Sequence, residues 1–377
     1  MQFSDETKAL FEKYIEEKYY EILDLICQLC KICSPTGRER KKAEYIRDYI
    51  NLNGTGLSYI DDVGNVIYEV GDTGEITIFC AHIDTVFEQL TCINVRKELN
   101  MIYAPSVSDN CANIVALLFF INFLNEYNVK VKKRIMFAFT VGEEGLGNLV
   151  GIRKIVDKYE DDICEVVAID GSCNSIVNHC IGSKRYRIRV QTNGGRAWKD
   201  FGNDNAVAIM ADIISNIYRI DLPSKSETTY NVGKIEGGNA INAIAAKAEI
   251  LLEIRSMYED RLSVLEQEVM NIIDSCKRNS EVFVEIIGNR PCERDINNFE
   301  LVQKAVEVRK YLKMDTKFSK ESTDMNYPLS RGIAAITFGA RVGGKNHTTE
   351  EFLVLNSINK GYLFLYMFIY SYYISEN

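Results

Sequence analysis

The sequence predicts an α/β chain: a largely parallel-sheet domain interrupted by an inserted α+β domain. Three observations predict it. Short apolar, β-branched runs alternate with helical periodicity before residue 182 and again after 291, the pattern of a sheet with helices on both faces. Between 183 and 290 the order becomes β-α-β-β-α-β, the ferredoxin-like arrangement. Groups of His, Asp and Glu end apolar runs on both sides of this insertion, so the two flanks must fold together. The expected domains are therefore 1–182 with 291–377, and 183–290.

In chain order, residues 5–31 carry a helical pattern that Ser34-Pro35-Thr36-Gly37 breaks. Glu39–Leu52 reads as a basic amphipathic helix and Tyr59–Val70 as a hairpin turning at 61–65. Residues 76–85 form a buried strand, too short and too evenly apolar for a helix. A strand pair ending at Tyr103 is expected within 86–108. A helix through Leu124, a strand at Ile135–Val141, a helix near 147–159 and a strand at Val166–Ile169 follow. In the insertion, strands are expected at 185–192, 231–236, 248–256 and 281–287, with helices at 205–218 and 259–277. The flanking domain resumes with a helix at 298–312, a strand at Ile333–Phe338 and a buried terminal helix over 362–374.

Composition excludes several classes. The net charge of −9 over 377 residues argues against general nucleic-acid binding. The aromatic run 362–374 is too short to span a bilayer, which takes about 20 residues, so no membrane partner is expected. Met1–Tyr20 is charged throughout, unlike a secretory signal. With 11 cysteines, an odd number, the expectation is free thiols in a cytoplasmic location. Cys27, Cys30 and Cys33 mimic an iron–sulfur spacing, but a fourth ligand is missing and the first two fit a helical apolar stripe.

The chemistry-bearing residues sit where apolar runs stop. His82 and Asp84 follow one run, and as i and i+2 of an extended segment they point the same way. Glu143-Glu144 follow a second, Asp170 a third, and His347 the Gly-rich loop after a fourth. Asp109 precedes the apolar stretch 114–124. Open α/β sheets place ligands at such carboxyl ends. Imidazoles and carboxylates together suit zinc, or manganese or cobalt. His82, Asp109, Glu144, Asp170 and His347 are too many for one tetrahedral zinc with an open position. They fit two divalent ions sharing a bridging carboxylate, an arrangement common among aminopeptidases and phosphatases. Glu143, beside a ligand without being needed as one, is the natural general base. Asp84 is placed to hold the second nitrogen of His82.

The segments Ala-His-Ile-Asp-Thr-Val (81–86), Ser-Asp-Asn (108–110), Gly-Glu-Glu-Gly (142–145), Asp-Gly-Ser (170–172) and His-Thr-Thr-Glu-Glu (347–351) resemble the dinuclear zinc peptidase family of peptidase T, aminoacylase, the folate-cleaving glutamate carboxypeptidase and succinyl-diaminopimelate desuccinylase. The likeness runs nearly end to end, through residues 237–242 and 253–255 of the insertion and 322–326 beyond it. It leans toward the peptidase T-like branch. It implies that Asp109 bridges the metals, that His82 and Asp170 complete one site, and that Glu144 and His347 complete the other. It further implies that Glu143 is the base, that Asp84 orients a ligand, and that the insertion is a lid and dimer interface. Asn242 and Arg255 match lid positions that contact substrate.

One departure stands out. Where relatives often carry a lid histidine after Gly-Gly, this chain has Arg196. The implied substrates are short peptides, tripeptides among them. Dipeptides and N-acyl-amino acids are the alternatives, and a metal- or peptide-binding protein that has lost catalysis is a further one.

Overall fold

The structure is a computed structural model that describes residues 3–54, 56–87, 93–223, 225, 227–294 and 298–374. Its elements begin with α1 (Asp5–Glu17), α2 (Tyr19–Cys30), α3 (Arg40–Asn53), β1 (Tyr59–Ile60), β2 (Val66–Val70), β3 (Thr73–His82), β4 (Arg96–Glu98) and β5 (Met101–Tyr103). They continue with α4 (Ala112–Glu126), β6 (Lys133–Thr140), α5 (Val150–Tyr159), β7 (Ile163–Ile169) and β8 (Ile176–Cys180). Next come β9 (Gly182–Gln191), β10 (Gly195–Arg196), α6 (Ala206–Ile217), β11 (Thr228–Gly237), β12 (Ala243–Ile244), β13 (Lys247–Ser256), α7 (Glu259–Cys276) and β14 (Glu281–Arg290). The chain closes with α8 (Phe299–Tyr311), β15 (Phe318–Glu321), α9 (Asn326–Ser330), β16 (Ala334–Phe338), β17 (Gly343–Gly344), β18 (Phe352–Val354) and α10 (Ser357–Ile369). Two compact units result, Met1–Cys180 with Arg294–Asn377, and Ile181–Glu293.

The first unit is built on an eight-stranded mixed sheet in the order β1-β2-β6-β3-β7-β16-β8-β15. Its central strands β6, β3, β7 and β16 are parallel. Side chains alternate across the sheet as the pleat demands. Phe79 and Ala81 of β3 join the core under α1–α4, α8 and α10, while Ile78 and Cys80 join the core under α5 and α9. Helices therefore cover both faces, which is why these strands read as unbroken apolar runs. The stretch Val107–Glu126 has the length and composition of a membrane-crossing helix, yet 94% of its apolar window is buried inside the protein. Its helical part, α4, is the central core helix, apolar all round because neighbours pack on every side.

Register decides where the strands deliver their last residues. His82 lies opposite Thr140, Cys80 opposite Ala168 and Ile169 opposite Phe338. All four parallel strands thus end at one level, and the residues following each meet at that edge.

The second unit is a four-stranded antiparallel sheet in the order β11-β13-β9-β14, with α6 and α7 on one face. That is the ferredoxin-like order. The opposite face carries a cross-strand ladder in which Arg185 pairs with Glu253 and Arg187 with Glu249 and Glu285. A small two-stranded antiparallel pair, β10–β12, lies outside this sheet.

Several local expectations are corrected. The helix expected over 5–31 breaks at Lys18, and α2 then buries a broader face (Ile22, Leu23, Leu25, Ile26, Leu29) than the stripe of α1 would continue. The helix expected near 147 starts at Val150, because Leu149 adopts a left-handed conformation before it. The terminal helix starts earlier, at Ser357, and ends in a wider turn over Tyr370–Ile374. Within the 86–108 loop, residues 88–92 lie outside the described residues, and the expected strand pair is β4–β5.

Candidate metal centre

At the shared edge of the parallel strands, one carboxylate faces two imidazoles. Asp109 Oδ1 lies 3.0 Å from His82 Nε2, and Asp109 Oδ2 lies 3.2 Å from His347 Nε2. Each imidazole has a second acidic neighbour. Asp170 Oδ1 is 3.9 Å from His82 Nε2, and Glu144 Oε1 is 3.0 Å from His347 Nε2. The five residues divide into two sets of three, with Asp109 in both. The candidate ligand atoms of His82, Asp109 and Asp170 lie within 4.8 Å of one another, as do those of Asp109, Glu144 and His347. Single ions with ligand bonds of about 2.0–2.2 Å reach such sets with modest side-chain adjustment. The donor chemistry, imidazole plus carboxylate in each set, fits a divalent cation. A third set, His82, Glu143 and Glu144, meets the same spacing, and among the described residues all such sets fall in the first unit.

The backbone explains how each side chain arrives. His82 is the last residue of β3 and is buried. Asp109 sits in the irregular turn Val107–Cys111, where Ser106 is left-handed (φ 62°) and the Asp109–Asn110 peptide is cis. Gly142, with φ +67°, turns the chain just before Glu143, and a Cβ there would meet the Val150 side chain at 2.6 Å. Gly171, also at φ +67°, does the same after Asp170. His347 itself holds a positive φ of 64°, a conformation that is uncommon for non-glycine residues and clusters at functional sites.

Asp84 is the hub behind this edge. Its Oδ1 accepts the Glu143 N–H at 3.0 Å; its Oδ2 accepts the Glu144 N–H at 2.8 Å and the Thr36 hydroxyl at 2.8 Å. The expected contact of its carboxylate with His82 is long, 3.6 Å from Nδ1, whereas the Asp84 carbonyl oxygen is nearer at 3.2 Å. At 3.6 Å no hydrogen bond forms, so the carbonyl faces the ring nitrogen and the carboxylate holds the Glu143-Glu144 turn.

The electrostatics are those of a tight carboxylate cluster. For Asp84, burial is outweighed by His82 and by donated N–H groups, and its pKa is lowered. Asp109 is also lowered: burial opposes this, but hydrogen bonds from His347 and His82 prevail. His347 is pushed up to about 10 by its contacts with Asp109 and Glu144. Burial acts to lower His82, but Asp109 and Asp84 hold it well above the usual imidazole range. Asp170 is raised to about 6 by burial and then by the charge of Asp109. Positive charge is what this cluster favours.

One buried carboxylate escaped sequence reasoning. Glu351 is 1% exposed and accepts hydrogen bonds from the backbone of Ser106, Ser108 and Asp109. Burial and the charge of Asp109 raise it to about 7. The only signal was its place in the motif that supplies His347.

The proposed substrate contacts divide within the second unit. Arg196 and Asn242 adjoin at the β10–β12 pair, where the Ala197 N–H donates to the Asn242 carbonyl at 3.1 Å. Arg196 is exposed. Arg255 lies at the far end of β13 from that strand pair and pairs with Glu253 at 2.7 Å. The structure does not bring the three together.

Residues 78–371 match the family model of peptidase family M20/M25/M40, well over half of the chain. The chain belongs to this family. The mixed, mostly parallel sheet is the fold of that family. Among curated proteins, a LysW-lysine/LysW-ornithine hydrolase assignment in Pyrococcus abyssi is 32% identical over 125 residues, which is 33% of this chain and 34% of that protein. The match thus spans about a third of that relative. Among solved structures, a tripeptidase from Staphylococcus aureus is 23% identical, with a TM-score of 0.76 over 92% of this chain and 96% of that one. A Bacillus subtilis protein described as a dinuclear metal binding peptidase from the M20 family is 14% identical, with a TM-score of 0.62 over 94% of this chain and 98% of that one.

Proposed function

We propose that this M20/M25/M40 family chain hydrolyses a peptide or amide bond in a small substrate, a short peptide such as a tripeptide, with two divalent ions to which Asp109 would be a shared ligand. The observation that carries this reading is the division of the Asp109 carboxylate between two imidazoles, one at each oxygen. His82 and Asp170 would hold one ion, Glu144 and His347 the other, with zinc as the expected metal and manganese or cobalt as alternatives. When bound, such ions polarise the scissile carbonyl and make water at the site more acidic.

The remaining work falls to the chain. Glu143 is buried beside a ligand, and its backbone is fixed by Asp84. Its carboxylate oxygen would take the proton of the attacking water and return it to the departing amine. Asp84 keeps Glu143 and Glu144 at their relative positions. In the second unit, Arg196, Asn242 and Arg255 are the proposed substrate contacts, and that unit the proposed lid and dimer surface. Every described cysteine is a free thiol, which supports a cytoplasmic location.

The test is an assay of di- and tripeptides, N-acyl-amino acids and N-acylated lysine and ornithine, each with zinc, cobalt and manganese. Metal-dependent cleavage of peptides is the expected outcome. Cleavage of acyl-amino acids alone would move the assignment to a deacylase, and no turnover with two metals bound would favour a binding protein.

A further inference from the structure

We infer that Glu351 is a positioning residue for the metal centre, one that fixes the Asp109 turn through its backbone. The inference rests on the two-metal reading of Asp109 and extends it to a residue that ligates nothing. The β5–β18 ladder sets the placement. Phe352 pairs with Tyr103, and one step further the Ala104 N–H donates to the Glu351 carbonyl at 3.1 Å. From there the Glu351 side chain reaches under the turn that follows β5. Its Oε1 accepts the N–H of Ser108 at 2.8 Å and the N–H of Asp109 at 2.7 Å. Its Oε2 accepts the Ser106 N–H at 3.1 Å.

Three backbone donors of one irregular turn thus converge on a single carboxylate. The turn has non-helical geometry at Asp109 (φ −119°, ψ 85°) and a left-handed Ser106, so regular helix bonding cannot supply these acceptors. A buried carboxyl group whose oxygens accept several N–H groups is a strong, directional clamp. The same segment carries His347 four residues earlier, and Asn346 adds a further stitch: its Oδ1 accepts from Ser108 Oγ at 3.0 Å and its Nδ2 donates to Asp109 Oδ2 at 3.2 Å. One short stretch therefore supplies a ligand of one proposed ion and sets the backbone of the carboxylate shared by both. Disturbing Glu351 should weaken both ions together, whereas disturbing His347 should weaken mainly one.

Glu351→Gln keeps the shape but sets an amide N–H against a backbone N–H, and Glu351→Ala removes the clamp. Glu350→Ala is the control, since Glu350 is exposed and pairs only with Arg96 among the described residues. Full-length proteins are stripped of metal and titrated with zinc, and the cobalt-loaded forms are examined by visible spectroscopy. The expected result for Glu351→Gln is a loss of about 10–100-fold in affinity for both ions, the usual scale for an outer partner of a ligand. An altered cobalt spectrum and an unchanged KM at saturating metal are also expected, with Glu350→Ala behaving as wild type. Should Glu351→Ala not fold, Glu351→Gln and Glu351→Asp decide. Wild-type affinities and spectrum in Glu351→Gln would overturn the inference while leaving the two-metal reading intact. A wild-type protein that binds no metal would remove both.

Discussion

Asp84 accepts the backbone N–H of Glu144 at 2.8 Å through one carboxylate oxygen and that of Glu143 at 3.0 Å through the other. The two glutamates that differ in proposed role, ligand and base, are thereby held by one anchor. Asp84→Ala strands two buried donors, at about 1–3 kcal/mol each. It should lower thermal stability measurably and also reduce activity. Asp84→Asn keeps the shape but replaces one acceptor with a donor, and turnover should fall about 10–100-fold. Thermal unfolding and kinetics on both variants check this; full activity in Asp84→Ala would show that the Glu143-Glu144 turn holds itself.

Glu143 and Glu144 are both buried, and each belongs to a set that could hold an ion. The base assignment therefore makes a separable prediction. Glu143→Ala should lower kcat by about 10²–10⁴-fold, the range for general acid–base loss, with two metals still bound. Elemental analysis beside the kinetics decides it. Loss of metal with a modest loss of rate would mean that the two roles are exchanged.

The sharing of Asp109 predicts an asymmetry between ligand variants. Asp109→Asn should weaken both ions, and His347→Ala mainly one. Metal content after dialysis is the measurement, and an equal loss of one ion in each variant would place the bridge elsewhere.

Arg196 is exposed in β10, and its backbone N–H is tied to Asp200 at 2.7 Å. A guanidinium can stabilise an oxyanion or grip a carboxylate bidentately. Loss of the first role appears in kcat and loss of the second in KM. Arg196→Ala is expected to lower kcat by about 10²–10³-fold, the scale of one oxyanion donor, with partial recovery in Arg196→His. If both constants stay at wild-type values on a good substrate, Arg196 is a solvated surface residue.

Much of this architecture was legible because burial writes itself into sequence. Strands β3, β6, β7 and β16 are covered on both faces, so they appear as apolar runs, and His82, Glu143 and Asp170 stand out as the polar residues that end them. The ferredoxin-like order was legible from alternation in β9 and β13, which have one open face. What escaped lacks such periodicity. Strands β8, β15, β17 and β18 are short, and apart from the β17–β18 pair their partners lie far away in the chain; the helix break at Lys18 carries no Gly or Pro. Glu351 was invisible because its partners are backbone N–H groups 242 to 245 residues away in the chain. The Asp84 carboxylate was expected at His82, which it faces at 3.6 Å, and it also serves the Glu143-Glu144 turn, a partner that only the register of β3 against β6 brings near.

The most direct measurement of the central claim is anomalous diffraction from crystals of the zinc-loaded protein. Two peaks about 3.5–4 Å apart, joined by Asp109, with His82 and Asp170 on one and Glu144 and His347 on the other, are the expected result. A single peak, or a second ion held by Glu143 in place of Glu144, would contradict it.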